Sequence, residues 1–420
     1  MGGVVRVPVF PAILSGKRPR FESTTKGEIV AIDANPSVAV AADISEEMVS
    51  RAESLIGVWL RRDVHWPAMS EDLAPIDIRR WAHYSVGDDN PLWSDHEYAM
   101  RSRWGCVIAP PTFLYSVDTT IVAPGFPGIQ WIYGGTRWEN FRPVRVGDRI
   151  TARARLIRVD KKSGKHARSL VIQTGEILYF NQRDELVSRA ESDVLRVPRA
   201  RSSSGLVGFD ERRERGRHRY TPEEIEEVRL AYLGETRRGS EPRYWEDVSI
   251  GDDLGRLPKG PLTLVDVVAF YVGRRNTYPP MKLAFAERER HPANVYVSPT
   301  TGIPVHPAAG HIDDEIAHEV GMPGPYDQGW MRANWIGHLL TNWAGDDAFV
   351  RKLSVRLPSP NLVGDLTWCG GTVVGKRYEN GEYLVDVECS GTNQNGELNT
   401  ISTATIRLVS KSLDSGREVL

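Results

Sequence analysis

One plan is written into this chain twice, and any fold assigned to it has to accommodate the repeat. FRPVRVGDRITARARLIRVDKKSGK (Phe141 to Lys165) is followed by NQRDELVSRAESDVLRV (Asn181 to Val197). Much later, LPSPNLVGDLTWCGGTVVGKRYENGE (Leu357 to Glu382) is followed by NQNGELNTISTATIRLV (Asn393 to Val409). Each copy has a VGD turn, a strand-like run, a polar turn, an NQ-containing turn and a last alternating strand. Alternation such as Ile150, Ala152, Ala154, Leu156 and Ile401, Thr403, Thr405, Arg407 has the period of two that strands require.

Helical stretches precede each strand block. In the first half they run from IRRWAHYSV (Ile78 to Val86) through DHEYAMRSRWG to TFLYSVDTTIV (Thr112 to Val122), entered through Pro110 and Pro111. In the second half they are VDVVAFYVG, HIDDEIAHEVG and WMRANWIGHLLTNW (Trp330 to Trp343), where Trp330, Trp335, Ile336, Leu339 and Leu340 recur at the spacing of a buried helix. Each half is therefore expected to hold two short helices, one long buried helix and a run of antiparallel strands: an α+β unit in which a curled sheet wraps a central helix. Arg199 to Arg219, rich in charge, Ser and Gly, reads as a linker. A helix starts near Thr221, where a Thr cap, a first-turn Pro and following glutamates suit an N-terminus. The expected layout is a flexible arm over 1–45, one unit over 46–200, a charged linker with a helix over 201–239, a second unit over 240–410, and a tail over 411–420.

Composition narrows the function classes. A length of 420 residues exceeds what one core usually organises. No apolar run approaches the roughly 20 residues of a membrane span, and the N-terminal apolar patch precedes the basic residues, the reverse of a secretory signal. Cys106, Cys369 and Cys389 show no paired spacing, which argues against a disulfide framework or a zinc site and for a reducing, cytoplasmic compartment. A net charge of -2 offers no general attraction to nucleic acid.

GDDNPLWSDHEYA (Gly87 to Ala99), a later G and IAPPTF, together with HIDDEIAHEVG and PYDQG in the second half, carry a resemblance to the hot-dog fold of MaoC-like dehydratases and (R)-specific enoyl-CoA hydratases. The usual family motif is D-x-N-P-x-H-x-D-x-x-x-A, then a G, then V-H-G at the start of the central helix. The resemblance covers roughly residues 46 to 200 and 240 to 410 and implies two tandem hot-dog units fused into a pseudo-dimer. It further implies an acyl-CoA or other acyl-thioester substrate, no metal or redox cofactor, no nucleic-acid or membrane partner, and a homo-oligomer built as a dimer of double hot dogs.

In the family an Asp and a His five positions apart hold the water that adds to an α,β-unsaturated thioester, and a backbone N–H at the start of the central helix donates to the thioester oxygen. Carried over, Asp88 matches the Asp, Asn90 and Pro91 the N-P, and Trp93 falls on the His, where an indole donates but cannot shuttle a proton. Pro111 takes the place of the oxyanion glycine and has no N–H. The first half thus reads as an altered pocket, with His83 or His96 as possible replacements for the lost ring. In the second half His311 matches the His, Asp313 and Ala317 follow at the family spacing, and Gly329 sits at the oxyanion position. The Asp is missing: His306 lies five residues before His311, while Asp327, Asp313 and Asp314 are nearby carboxylates. An insertion from Asn276 to Pro304 is expected to reshape the pocket mouth. The resulting expectation is a lyase hydrating a 2-enoyl-CoA reversibly to a 3-hydroxyacyl-CoA, in degradation or secondary metabolism. The alternatives are an acyl-CoA thioesterase on the same fold and a non-catalytic acyl-thioester-binding or partner subunit.

Overall fold

The structure is a computed structural model and describes residues 28–29, 43–64, 70–162, 170–197, 216–274, 280–290 and 295–412. Most of the arm, residues 201–215 of the linker and residues 413–420 of the tail anticipated above lie outside the described residues.

The first half contains α1 (Glu46–Glu53), α2 (Pro75–Arg80) running into a π-helical turn at Trp81–Val86, and α3 (His96–Arg101). Its strands are β1 (Glu28–Ile29), β2 (Trp59–Val64), β3 (Gln130–Asn140), β4 (Thr151–Lys162), β5 (Leu170–Phe180) and β6 (Leu186–Val197). After α4 (Pro222–Leu233), the second half contributes β7 (Asp253–Lys259), α5 (Leu264–Arg274) and α6 (Met281–Arg290). A small hairpin follows, of β8 (Tyr296–Val297) and β9 (Pro304–Val305), then α7 (Asp314–Glu319) and α8 (Gly329–Ala344). Strands β10 (Phe349–Arg356), β11 (Thr367–Glu379), β12 (Glu382–Asn393) and β13 (Leu398–Leu408) complete the chain. The start of α4 matches expectation: Thr221 caps it, Pro222 follows, and Thr221 and Glu224 form a reciprocal capping box.

Eleven strands form one antiparallel sheet in the order β1-β2-β4-β5-β6-β3-β10-β13-β12-β11-β7. The halves meet at β3 and β10, where Leu353 pairs with Trp138 and Val355 with Thr136. Outward from that seam β6, β5, β4, β2 on one side answer β13, β12, β11, β7 on the other, so the sequence repeat is a repeat of topology. Its turns repeat in detail. Asn181 Oδ1 accepts from the N–H groups of Arg183 and Glu185, and Asn393 Oδ1 from those of Asn395 and Glu397. Gln182 and Gln394 then donate to the VGD aspartates, Asp148 at 3.2 Å and Asp365 at 2.8 Å. The NQ turn is thus a clamp on the VGD turn, which explains why the two motifs recur together.

The short helices recur, α2 and α3 in the first half and α5 and α7 in the second, but the long central helix does not. Helix α8 runs through the core with every residue from Trp330 to Leu340 buried, as its spacing predicts. The long helix expected over Thr112–Val122 is not formed: a single 3-10 turn, Phe113–Ser116, gives way to an irregular segment. Asp118 is the physical reason. Its carboxylate accepts from the Thr120 N–H at 2.8 Å and pairs through both oxygens with Arg61, at 2.8 and 2.9 Å, while Thr120 takes a positive φ of 61°. A short acidic side chain bonded to its own backbone competes with helical hydrogen bonds, and Thr119, Thr120, Ile121 and Val122 are β-branched. The segment lies directly on the sheet because β5 has Gly175 beneath it, where a Cβ would come within 2.4 Å of Val122 Cβ.

Candidate active site at the N-terminus of helix α8

Pro307–His311 forms a 3-10 turn that delivers the His311 ring to a cavity of about 170 Å³. The wall opposite belongs to the first half, through Gln130, Ile132 and Tyr133 of β3, and Leu357 and Pro358 close a further side. The ring lies 4.1 Å from the Tyr326 ring, and Nδ1 stands 3.0 Å from the Tyr326 carbonyl oxygen. A carbonyl only accepts, so Nδ1 carries the proton and Nε2 keeps its lone pair. Burial pushes the imidazole down to about 4, which leaves it unprotonated at neutral pH.

Asp327 lines the same cavity and is buried, its Oδ2 2.8 Å from Nε of Arg332. Arg332 is held by the carbonyls of Ser359 and Asn399, each at 2.6 Å. Burial outweighs the guanidinium and pushes the Asp327 carboxyl up to about 7. The neighbouring His311 and Asp327 are thus displaced in opposite directions, the pattern that separates a base from an acid.

Gly329 opens α8, and its N-cap, Gln328, makes no side-chain hydrogen bond to the first turn. The first N–H groups of this 16-residue helix therefore sit at the cavity with the positive end of the helix dipole behind them. A Cβ at 329 would lie 2.6 Å from Leu357 Cδ1 and 2.9 Å from Tyr133 Cδ1, so glycine is also required for close packing.

Of the other sequence candidates, His306 does not line this cavity; it caps the 3-10 turn, its Nδ1 accepting from the Ala308 N–H at 3.1 Å. Asp313 is exposed and caps α7, accepting from the Ile316 N–H at 3.0 Å. Asp314 pairs with Arg217 at 2.8 Å, and His83 and His96 are exposed. From the insertion, Tyr296 donates to Gln130 of the cavity wall and packs in a small core with Met322 and Tyr326.

Asp88, Asn90 and Trp93 lie together elsewhere. The Trp93 indole donates to Asp88 Oδ2 at 2.7 Å, and Asn90 bonds Asp346 at 2.8 Å. Trp93, Pro110 and Pro111 line a cavity of only about 50 Å³ beside Thr341 and Gly345 at the C-terminal end of α8. On the other side of Asp88, at 3.7 Å, is His338 of α8, whose Nδ1 accepts a hydrogen bond from Lys259 Nζ at 2.6 Å and whose Nε2 lies 3.0 Å from Glu235. Sequence reasoning missed His338, Lys259 and Glu235, as it missed Tyr133, Tyr326 and Arg332; only the inward helical face bearing His338 and Arg332 carried any signal. Among the described residues no group of three or more His, Cys, Asp or Glu side chains is arranged to hold a metal ion, and no helix is long and apolar enough to cross a membrane.

The model of the FAS1-like dehydratase domain region matches residues 64–190. The UPF0336 protein of Streptomyces coelicolor is 34% identical over 94 residues, 21% of this chain and 62% of its own length. That of Streptomyces griseus is 30% identical over 105 residues, 23% and 69% of the two chains. The match thus spans less than two thirds of the Streptomyces coelicolor protein. A solved MaoC-like dehydratase superposes with a TM-score of 0.58 at 18% identity, over 85% of this chain and 99% of its own. The two half-sheets, the buried α8 and the NQ and VGD turns are those of a double hot dog. The chain belongs to the family of the UPF0336 proteins, and its fold is that of a MaoC-like dehydratase.

Proposed function

We propose that the protein hydrates a 2-enoyl thioester, most simply a 2-enoyl-CoA, to the 3-hydroxyacyl thioester, and that the reaction takes place at the second-half cavity. The observation that carries this reading is the convergence of His311, Asp327 and the Gly329 end of α8 on one cavity. In the forward direction His311 Nε2 removes a proton from water as the oxygen bonds to C3. The π electrons move to the thioester oxygen, where the Gly329 N–H and the helix terminus stabilise the enolate. The protonated Asp327 carboxyl delivers a proton to C2, and the imidazolium returns one to the carboxylate, so the site is restored without an added reagent. Arg332 positions Asp327, and the Tyr326 carbonyl fixes the tautomer of His311.

The test is loss of the conjugated enoyl-thioester absorbance over a panel of 2-enoyl-CoAs, with chiral analysis of the product and an assay for free thiol. Hydration by the wild type that disappears in His311→Ala supports the assignment. Release of free thiol without hydration would turn it to thioester hydrolysis, and no turnover of any thioester would sink it.

A further inference from the structure

One side of the second-half cavity is lined by residues of the first half, and the way they are fixed bears on which acyl groups fit. Tyr133 and Leu357 press on Gly329 so closely that no Cβ has room there. An acyl group whose carbonyl oxygen meets the Gly329 N–H therefore has its next carbons against the Tyr133 ring.

That ring is not free to swing aside. Its hydroxyl bonds Thr120 at 3.1 Å, contacts Thr136, and receives no slack from Tyr115, whose hydroxyl is 3.4 Å away. Its face packs on Trp330 with centroids 5.3 Å apart. Behind it stands a second tier of rings: Tyr115 against Trp138 at 4.9 Å and Trp138 against Tyr179 at 5.5 Å, all three buried. The irregular segment that replaces a helix in the first half supplies Thr120 to this lock, so the volume beneath the first half-sheet is filled with aromatic rings rather than left for substrate.

Resting on the thioester reading above, we propose that Tyr133 is the specificity-determining end wall of the acyl pocket and restricts the protein to short-chain acyl thioesters.

The experiment uses saturated acyl-CoAs from butyryl to decanoyl, which lack the double bond and report binding independently of turnover, measured by calorimetry on the full chain. Each methylene buried in an apolar pocket raises affinity about fourfold. In the wild type this rise stops before octanoyl. In Tyr133→Leu the stop moves to longer chains and in Tyr133→Ala further still, while Tyr133→Phe, which keeps the ring, leaves it in place. The graded pair keeps the test intact if the alanine variant does not fold. A rise unbroken through decanoyl in the wild type, a stop that ignores the substitutions, or no binding of any acyl-CoA overturns the proposal. Hydration activity separates the two ideas: a stop that moves with Tyr133 in a protein that hydrates nothing leaves the end wall standing and removes the hydratase, and an unmoved stop in an active hydratase does the reverse.

Discussion

Helix α8 has a pocket at each end, and the two differ in almost every chemical respect. At its N-terminus, His311, Asp327 and Gly329 face a cavity of about 170 Å³; at its C-terminus, Trp93, Pro111 and Asp346 line one of about 50 Å³. The first half retains the family carboxylate, yet its partner there is an indole that only donates. The second half retains the histidine and takes a carboxylate from sixteen residues downstream. Asp88 is still present because it satisfies Trp93 and the Asn90 N–H in a buried setting where an unpaired acid would be costly. A motif residue can thus be held by structural bonds alone; what matters for chemistry is which atoms face an open volume.

The contrast can be broken or sharpened by substitution. Replacing His311 by Ala should lower kcat by about 10²- to 10⁴-fold, the usual worth of a positioned general base, with KM little changed; comparable turnover in the variant would move the chemistry out of this pocket. Gly329→Ala should cost about 10²-fold in kcat/KM, because the added Cβ meets Leu357 and Tyr133 and displaces the helix end by a fraction of its contact distance. At the other pocket Trp93→Phe should leave kcat/KM unchanged and lower stability by about 1–3 kcal/mol, since it leaves Asp88 short of a buried donor; a loss of activity at constant stability would restore a catalytic part to the first half.

The pH dependence supplies the smallest effect and a sign to check. The proposed mechanism needs His311 neutral and Asp327 protonated, so the rate should rise through about pH 4 and fall through about pH 7. In stability the same groups oppose each other. The unfolded chain binds the His311 proton near pH 6.5 and the native one only near 4, so this group makes stability rise with pH across that window. Asp327 is raised from the ordinary carboxylate value to about 7, so the native state holds the extra proton and stability falls as pH rises between about 4 and 7. Asp327→Asn should therefore steepen the rise of the urea midpoint between pH 4 and 6.5; an unchanged slope would mean that Asp327 titrates like an exposed acid.

Much of this was legible in the sequence because it rests on local patterns. The VGD and NQ turns marked the two half-sheets, since the side chains that define those turns also clamp them together. Helical spacing marked α8 as buried, and motif spacing brought out His311, Gly329 and Asp327, which do share a cavity. The first-half helix was misjudged because Asp118 finds its partner in Arg61, 57 residues earlier, and no local propensity reports such a pair. Lys259, Glu235 and His338 went unnoticed for the same reason: each comes from a different element and none belongs to a motif. Tyr133 was invisible as a site residue because the wall it forms belongs to the opposite half.

The seam between β3 and β10 carries a further consequence. In an association of two identical hot dogs, any substitution strikes both pockets at once, so neither can be remodelled while the other is preserved. Joining the units in one polypeptide breaks that equivalence: each copy can change under its own selection, and a half without chemistry can serve as architecture for its neighbour. The first half supplies the β3 wall to the second-half cavity, so deleting it would strip the proposed active site of a side.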